Sequence, residues 1–180
     1  CALPILITGC CNTSVSSPDG KIIYTVETQD GKAVYTVKDG NQTIISNSAL
    51  GFIFKGEEAE LGAVKICRIS TDSKDETWEQ IWGEERFVRN NYNEMTVRMK
   101  ETAEPGRIID LTVRVFDDGF GFRYSFPDQE ALKEFAIAEE LTEFRFSKDY
   151  MSWWLDQSVP YYEDYGHNTP ISQIDTAHTP

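Results

Sequence analysis

Chemistry in this chain could be carried by an aromatic and acidic cluster late in the sequence, where Trp153, Trp154, Tyr161 and Tyr162 are interleaved with Asp156, Glu163 and His167. Aromatic rings offer flat apolar faces to the C–H faces of sugars, and neighbouring carboxylates accept hydrogen bonds from hydroxyl groups. The same carboxylates are oxygen donors of the kind calcium takes, six to eight of them at about 2.3–2.6 Å. Rings also serve packing very often, so on residue types alone a loop folded onto the edge of a β-sandwich is the first reading. No helical or strand period runs through the cluster, and a loop is expected.

A second group runs Asp75-Glu76-Thr77-Trp78-Glu79-Gln80-Ile81-Trp82-Gly83-Glu84-Glu85. Glycoside hydrolysis needs two carboxylates flanking one sugar bond, about 5–5.5 Å apart for retention and about 6.5–9.5 Å for inversion. Acids that are neighbours in sequence do not create that geometry. A solvated acidic turn, anchored to the core by Trp78 and Trp82, is expected instead. Other chemistries lack their signatures. His167 and His178 have no Cys or His partners at zinc spacing, no Gly-x-Ser-x-Gly elbow occurs, and no phosphate-binding glycine loop precedes a helix. A formal charge of −13 provides no basic stripe for phosphate contacts, so no nucleic-acid partner is expected.

The elements that must position these groups read as short strands. With 180 residues, 40% of them hydrophobic, the chain is long enough for one domain with its own core. Ile22, Tyr24 and Val26 alternate before a turn at Asp30-Gly31; Val34, Thr36 and Val37 follow before a turn at Asp39-Gly40-Asn41. Further strands are expected over residues 43–45, 50–54 and 63–69, the last with Cys67 as a small buried hydrophobe. Met95, Val97 and Met99, then Ile109, Leu111, Val113 and Val115, alternate with polar residues as strands with one wet face do. Residues 116–127, Phe-Asp-Asp-Gly-Phe-Gly-Phe-Arg-Tyr-Ser-Phe-Pro, predict a hairpin. Asp118-Gly119 would form its tight turn through a positive φ at the glycine. Phe120, Phe122, Tyr124 and Phe126 then share one face, in the middle of a core, and Arg123 serves as a structural ion-pair or surface partner. A polar turn or short helix over 127–133 leads to strand-like composition over 135–146.

At the start of the chain, Cys1, Cys10 and Cys11 accompany an apolar run from Ala2 to Ile7. Ile7-Thr8-Gly9-Cys10 resembles a bacterial lipobox, in which Cys10 is lipidated and becomes the new N-terminus. A basic n-region and an initiating methionine are missing, so the expected organisation is a partial lipoprotein signal peptide (1–9), a polar linker (10–17) and a β domain (18–180) that is incomplete at its C-terminal end. No apolar run approaches ~18 residues, so membrane attachment is expected only through the lipid.

Several segments together resemble one family. They are Ser17-Pro18-Asp19-Gly20, Thr77-Trp78 with Trp82-Gly83-Glu84, Arg89-Asn90 with Tyr92-Asn93-Glu94, and Asp118-Gly119-Phe120-Gly121-Phe122-Arg123-Tyr124. In order and spacing the set resembles the N-terminal domain of glycoside hydrolase family 97. The resemblance implies an all-β fold, an antiparallel β-supersandwich of the galactose-mutarotase-like kind, at the head of a larger protein with a (β/α)₈ catalytic barrel. It further implies a calcium-dependent, exo-acting α-glucosidase or α-galactosidase of the bacterial periplasm or outer membrane, acting on α-linked oligosaccharides. The catalytic carboxylates would lie on the barrel, so no catalytic residue is expected in this chain. One functional residue carries over: Glu163 takes the place of a glutamate that helps hold the calcium beside the substrate. Two other readings are a freestanding carbohydrate-binding surface lipoprotein and a sandwich that only packs on a partner domain.

Overall fold

The computed structural model describes residues 13–56, 60–155 and 165–175. Cys10, Asp156, Tyr161, Tyr162, Glu163 and His178 lie outside the described residues. Two compact units divide the chain, Cys1–Arg145 and Phe146–Pro180. The described elements are strands and two short 3₁₀ turns, with no α-helix among them, so the all-β antiparallel sandwich expected from the alternation is what forms.

In the first unit, β1 (Ser14–Ser16), β2 (Ile22–Gln29), β3 (Lys32–Asp39) and β4 (Gln42–Leu50) form an antiparallel sheet in chain order. The polar stretch read as part of a linker therefore contributes a strand, with Val15 buried and the Ser17 N–H donating to the Ile22 carbonyl at 2.8 Å. Asp30 and Gly31 both have positive φ, 51° and 79°, the pairing that lets a two-residue loop match the twist of β2 and β3. A second antiparallel sheet holds β6 (Val64–Glu79), β7 (Phe87–Glu101), β8 (Ile108–Phe116) and β9 (Gly119–Ser125), again in chain order. Between the two in sequence lies β5 (Phe52–Phe54), which pairs with β10 (Ile137–Glu140).

Alternation decides which residues meet. Tyr24, Val26, Tyr35 and Val37 of the first sheet and Met95, Val97, Ile109, Leu111 and Val113 of the second are all buried in one core cluster. Fully burying each such side chain contributes about 1.5–3 kcal/mol. Rings from β9 join it: Phe120 lies 5.3 Å from Tyr24, Phe122 lies 5.7 Å from Tyr35, and Tyr124 lies 4.6 Å from Phe52, edge-on. At one end of the core Glu101 and Arg107 form an ion pair at 2.7 Å with side chains only 3% and 6% exposed. Gly62 N–H and the Arg107 N–H also donate to that carboxylate, and the Arg107 guanidinium lies 4.8 Å over the Phe54 ring. No helix of the described residues is long and apolar enough to cross a membrane.

Four expectations are corrected. The turn of the 116–127 hairpin is made by Asp117 and Asp118. Gly119 is already the first residue of β9, opposite Phe116, without a positive φ. That strand is also the edge of its sheet, so its rings are partly rather than fully buried. Cys67 is exposed, because the ladder steps from Ile66↔Met99 to Arg68↔Arg98 and leaves Cys67 as the extra residue of a bulge. Of the two roles expected for Arg123, its exposure agrees with the surface one, and among the described residues it has no ion pair within salt-bridge distance. Finally, residues 75–79 are not a turn: they are the end of β6, paired residue for residue with β7 as far as Glu79↔Phe87.

In the 135–146 stretch only β10 is regular. The rest follows the first sheet through single hydrogen bonds, Glu143 N–H to the Ala49 carbonyl and Ser46 N–H to the Arg145 carbonyl, both at 2.9 Å. The 127–133 segment forms the expected short turn, a 3₁₀ helix at Glu130–Leu132 that buries Leu132.

Candidate functional site

The second unit contains the C-terminal cluster. Here β11 (Met151–Trp154) pairs antiparallel with β12 (His167–Pro170), in the register Ser152↔Thr169, Trp153↔Asn168 and Trp154↔His167. Trp153, Trp154 and His167, expected in a loop, therefore sit in paired strands. Period-2 alternation was invisible because β11 puts Trp153 and Trp154 side by side, one on each face.

Trp154 and His167 face each other across the two strands. Their rings stack at 4.4 Å between centroids, with 27° between planes. Trp154 Nε1–H donates to Thr169 Oγ1 at 3.0 Å, and Ser152 Oγ–H donates to the Thr169 carbonyl at 2.8 Å. Thr169 thus fixes both the indole and the strand beneath it. Sequence reasoning did not single out Ser152 or Thr169; the Thr-Pro ending of β12 gave no signal of what it would bond. The opposite face presents Trp153 with 78% of its surface exposed. A flat exposed ring of this kind can stack on the apolar face of a sugar.

Connecting these strands are residues 155–166, which carry Asp156, Tyr161, Tyr162 and Glu163. Trp154, the last residue of β11, and His167, the first of β12, are the stacked pair on either side of this connection in sequence. Near the hairpin, Asp149 accepts the Ser172 N–H at 2.9 Å and its hydroxyl at 2.7 Å, and these bonds hold its carboxyl below the usual carboxylate range.

The acids of residues 75–85 are arranged differently. Asp75 receives two hydrogen bonds from Arg89, at 2.9 and 2.8 Å, and the guanidinium lowers its pKa. Glu76 is lowered by Lys74, at 2.7 Å, and by the Asn90 amide. Adjacent strand residues point to opposite faces, so these two carboxylates cannot flank one bond. A general acid needs a raised pKa, and both of these are lowered. Neither aromatic residue anchors the segment: Trp82 is 87% exposed and Trp78 about half exposed.

A third feature lies on the wet face of β8 and β9. Gly121 has no side chain opposite Arg114, which leaves a shallow depression of about 240 Å³ bordered by Thr112, Arg114 and Arg123. The Arg114 guanidinium bonds Glu94 at 2.7 Å and lies 4.5 Å over Tyr92. No acid–base pair borders the depression.

A family model described as Glycosyl-hydrolase 97 N-terminal matches residues 15–180. Among solved structures, a glycoside hydrolase family 97 enzyme from Pseudoalteromonas sp. strain K8 in complex with panose is 34% identical, with a TM-score of 0.79, covering 87% of this chain and 24% of that one. A complex from the same strain with acarbose matches at the same 34% identity, TM-score of 0.79 and coverage of 87% and 24%. A beta-arabinopyranosidase matches at 28% identity and a TM-score of 0.70, over 81% of this chain and 23% of its own. The chain spans about a quarter of the length of these solved proteins.

Proposed function

This chain belongs to the glycosyl-hydrolase 97 N-terminal family, and on that premise we propose that it is the N-terminal β-sandwich of an exo-acting α-glycosidase, an α-glucosidase in the first instance. The substrates are α-linked oligosaccharides. The observation that carries this reading is 34% identity over 87% of the chain to a family 97 enzyme whose complexes hold panose and acarbose. The chain itself does not hydrolyse: it packs on a (β/α)₈ catalytic barrel and supplies part of the substrate-site wall.

Within that role, the β11–β12 hairpin carries the working residues. Trp153 presents its ring for contact with sugar, and the Trp154·His167 stack holds the base of the segment bearing Glu163. Among the described residues no three His, Cys, Asp or Glu side chains gather to hold a metal. Glu163 is proposed as one carboxylate ligand, with the remaining oxygens coming from the barrel. Bound calcium would supply positive charge that orients substrate oxygens. Lipidation at Cys10 would tether the enzyme to a periplasmic or outer-membrane surface.

Two measurements test this reading. Full-length protein is expected to release monosaccharide from α-glucosides; an α-galactoside and an arabinopyranoside assayed beside it report substrate class. No hydrolysis of any of the three would overturn the reading. Metabolic labelling with a radioactive fatty acid should mark the wild type and not Cys10→Ala.

A further inference from the structure

We propose that the tip of the β6–β7 arm is a docking element that inserts into an apolar pocket on the part of the longer enzyme that lies outside this chain. The proposal rests on the reading above, in which the matched region is about a quarter of a larger protein. Strand β7 pairs with β8 only from Asn93 to Lys100, whereas its pairing with β6 continues to Glu79↔Phe87. The arm beyond Asn93 is thus a two-stranded ribbon without a sheet neighbour. At its end Ile81 is 91% exposed and Trp82 87%, with Trp78 and Phe87 about half exposed on opposite faces just behind them. Large apolar side chains concentrated on one projection mark an interaction surface.

The tip is built to hold this shape. Gln80 N–H donates to the Arg86 carbonyl at 2.9 Å, and the Gln80 side-chain amide donates to the Glu85 carbonyl. Gly83 has φ +124°, and a Cβ there would lie 2.8 Å from the Gln80 amide nitrogen. A braced loop pays little ordering entropy on docking. Its centre is apolar and its rim, Glu79, Glu84 and Glu85, is charged, the anatomy of a protein–protein contact with a tryptophan anchor.

Ile81 argues for a protein pocket over a sugar, since an aliphatic side chain adds no flat face for stacking. Charge argues against a second copy of the chain. The arm from Asp72 to Asn91 carries six acidic residues against three basic ones; the three basic ones pair with Glu76, Glu79 and Asp75, and a self-complementary contact would bring the remaining tip acids, Glu84 and Glu85, against their own copies. The pocket is therefore apolar with a basic rim, on the same polypeptide.

Hydroxyl-radical footprinting of the full-length enzyme tests this. Trp82 should be oxidised at least about fivefold more slowly in the native enzyme than in the urea-unfolded chain, independent of dilution and of added α-linked oligosaccharide. Reactivity equal to the unfolded chain, protection that disappears on dilution, or protection that needs sugar would each overturn the proposal. Replacing both residues, Ile81→Ser with Trp82→Ser, should lower the thermal midpoint of the full-length enzyme by several degrees; an unchanged midpoint counts against docking. Hydrolysis by the same preparation separates the two claims. An active enzyme with a reactive Trp82 overturns the docking alone, and a protected Trp82 in an inactive protein overturns the glycosidase reading alone.

Discussion

Trp154 stacks on His167 at 4.4 Å, and this contact closes the base of the segment that carries Glu163. The two residues are thirteen positions apart in sequence yet directly opposite in the β11–β12 ladder. The stack lets a short two-stranded hairpin hold a long connection at fixed ends. The Thr169 bond to the indole adds a second hold on Trp154.

Replacing His167 with alanine removes the stack and keeps the hairpin register. In the full-length enzyme, calcium affinity is expected to fall by about 2- to 10-fold, the range a lost aromatic contact allows. Titration with calcium checks this, and unchanged affinity would leave the stack with a packing role alone.

The Glu101–Arg107 pair predicts both a mutational and a pH effect. Burial works to raise the Glu101 pKa, but the Arg107 guanidinium and two backbone N–H groups outweigh it, so the folded value is lowered. A carboxylate lowered in the folded state stabilises fully above its unfolded value of about 4.3 and loses that contribution as pH falls through the folded value. Glu101→Ala removes the carboxylate from beside the buried Arg107 guanidinium and should cost about 3–5 kcal/mol at pH 7 in urea unfolding. The difference from wild type should shrink as pH is taken well below 4.

Tyr24 presents the opposite case. Its hydroxyl is buried and has no hydrogen-bond partner among the described residues, and burial pushes its pKa far up. Tyr24→Phe keeps the ring that stacks on Tyr35 at 5.1 Å and removes the unpaired group. Stability should rise by about 1 kcal/mol, seen as a higher thermal midpoint. A drop of similar size would mean the hydroxyl has a partner.

Gly31 is confined twice. Its φ is +79°, and a Cβ would lie 2.7 Å from the Cβ of Ala63. Gly31→Ala should therefore destabilise by about 1–3 kcal/mol through the backbone and the clash together. Gly40→Ala, which also has positive φ but open space around it, should cost less in the same unfolding assay.

Much of the sandwich was legible because period-2 alternation survives wherever one face is buried: Tyr24 and Val26, Met95 to Met99, and Ile109 to Val115 all lie where alternation put them. What alternation could not show was where it breaks. A bulge at Cys67 shifts the register of β6 and turns an apparent core residue outward. The long polar end of β6 looked like a turn because an arm wet on both faces has no buried period. The site was legible only as a set of residue types. The pairing of Trp154 with His167 spans a connection whose length no local rule sets, and Asp117, whose carboxylate accepts the Asp19 N–H at 2.8 Å across 98 residues, shows how distant turns meet without a sequence signal.

The most direct test of the account is calcium-dependent hydrolysis by full-length enzyme, wild type against Glu163→Gln, after chelation and stepwise return of calcium. Wild-type activity on an α-glucoside should be lost on chelation and restored by calcium. Glu163→Gln should need about tenfold more calcium or beyond, as expected when a carboxylate at a metal site is lost. Identical calcium curves for the two proteins, or activity indifferent to calcium in both, would contradict it.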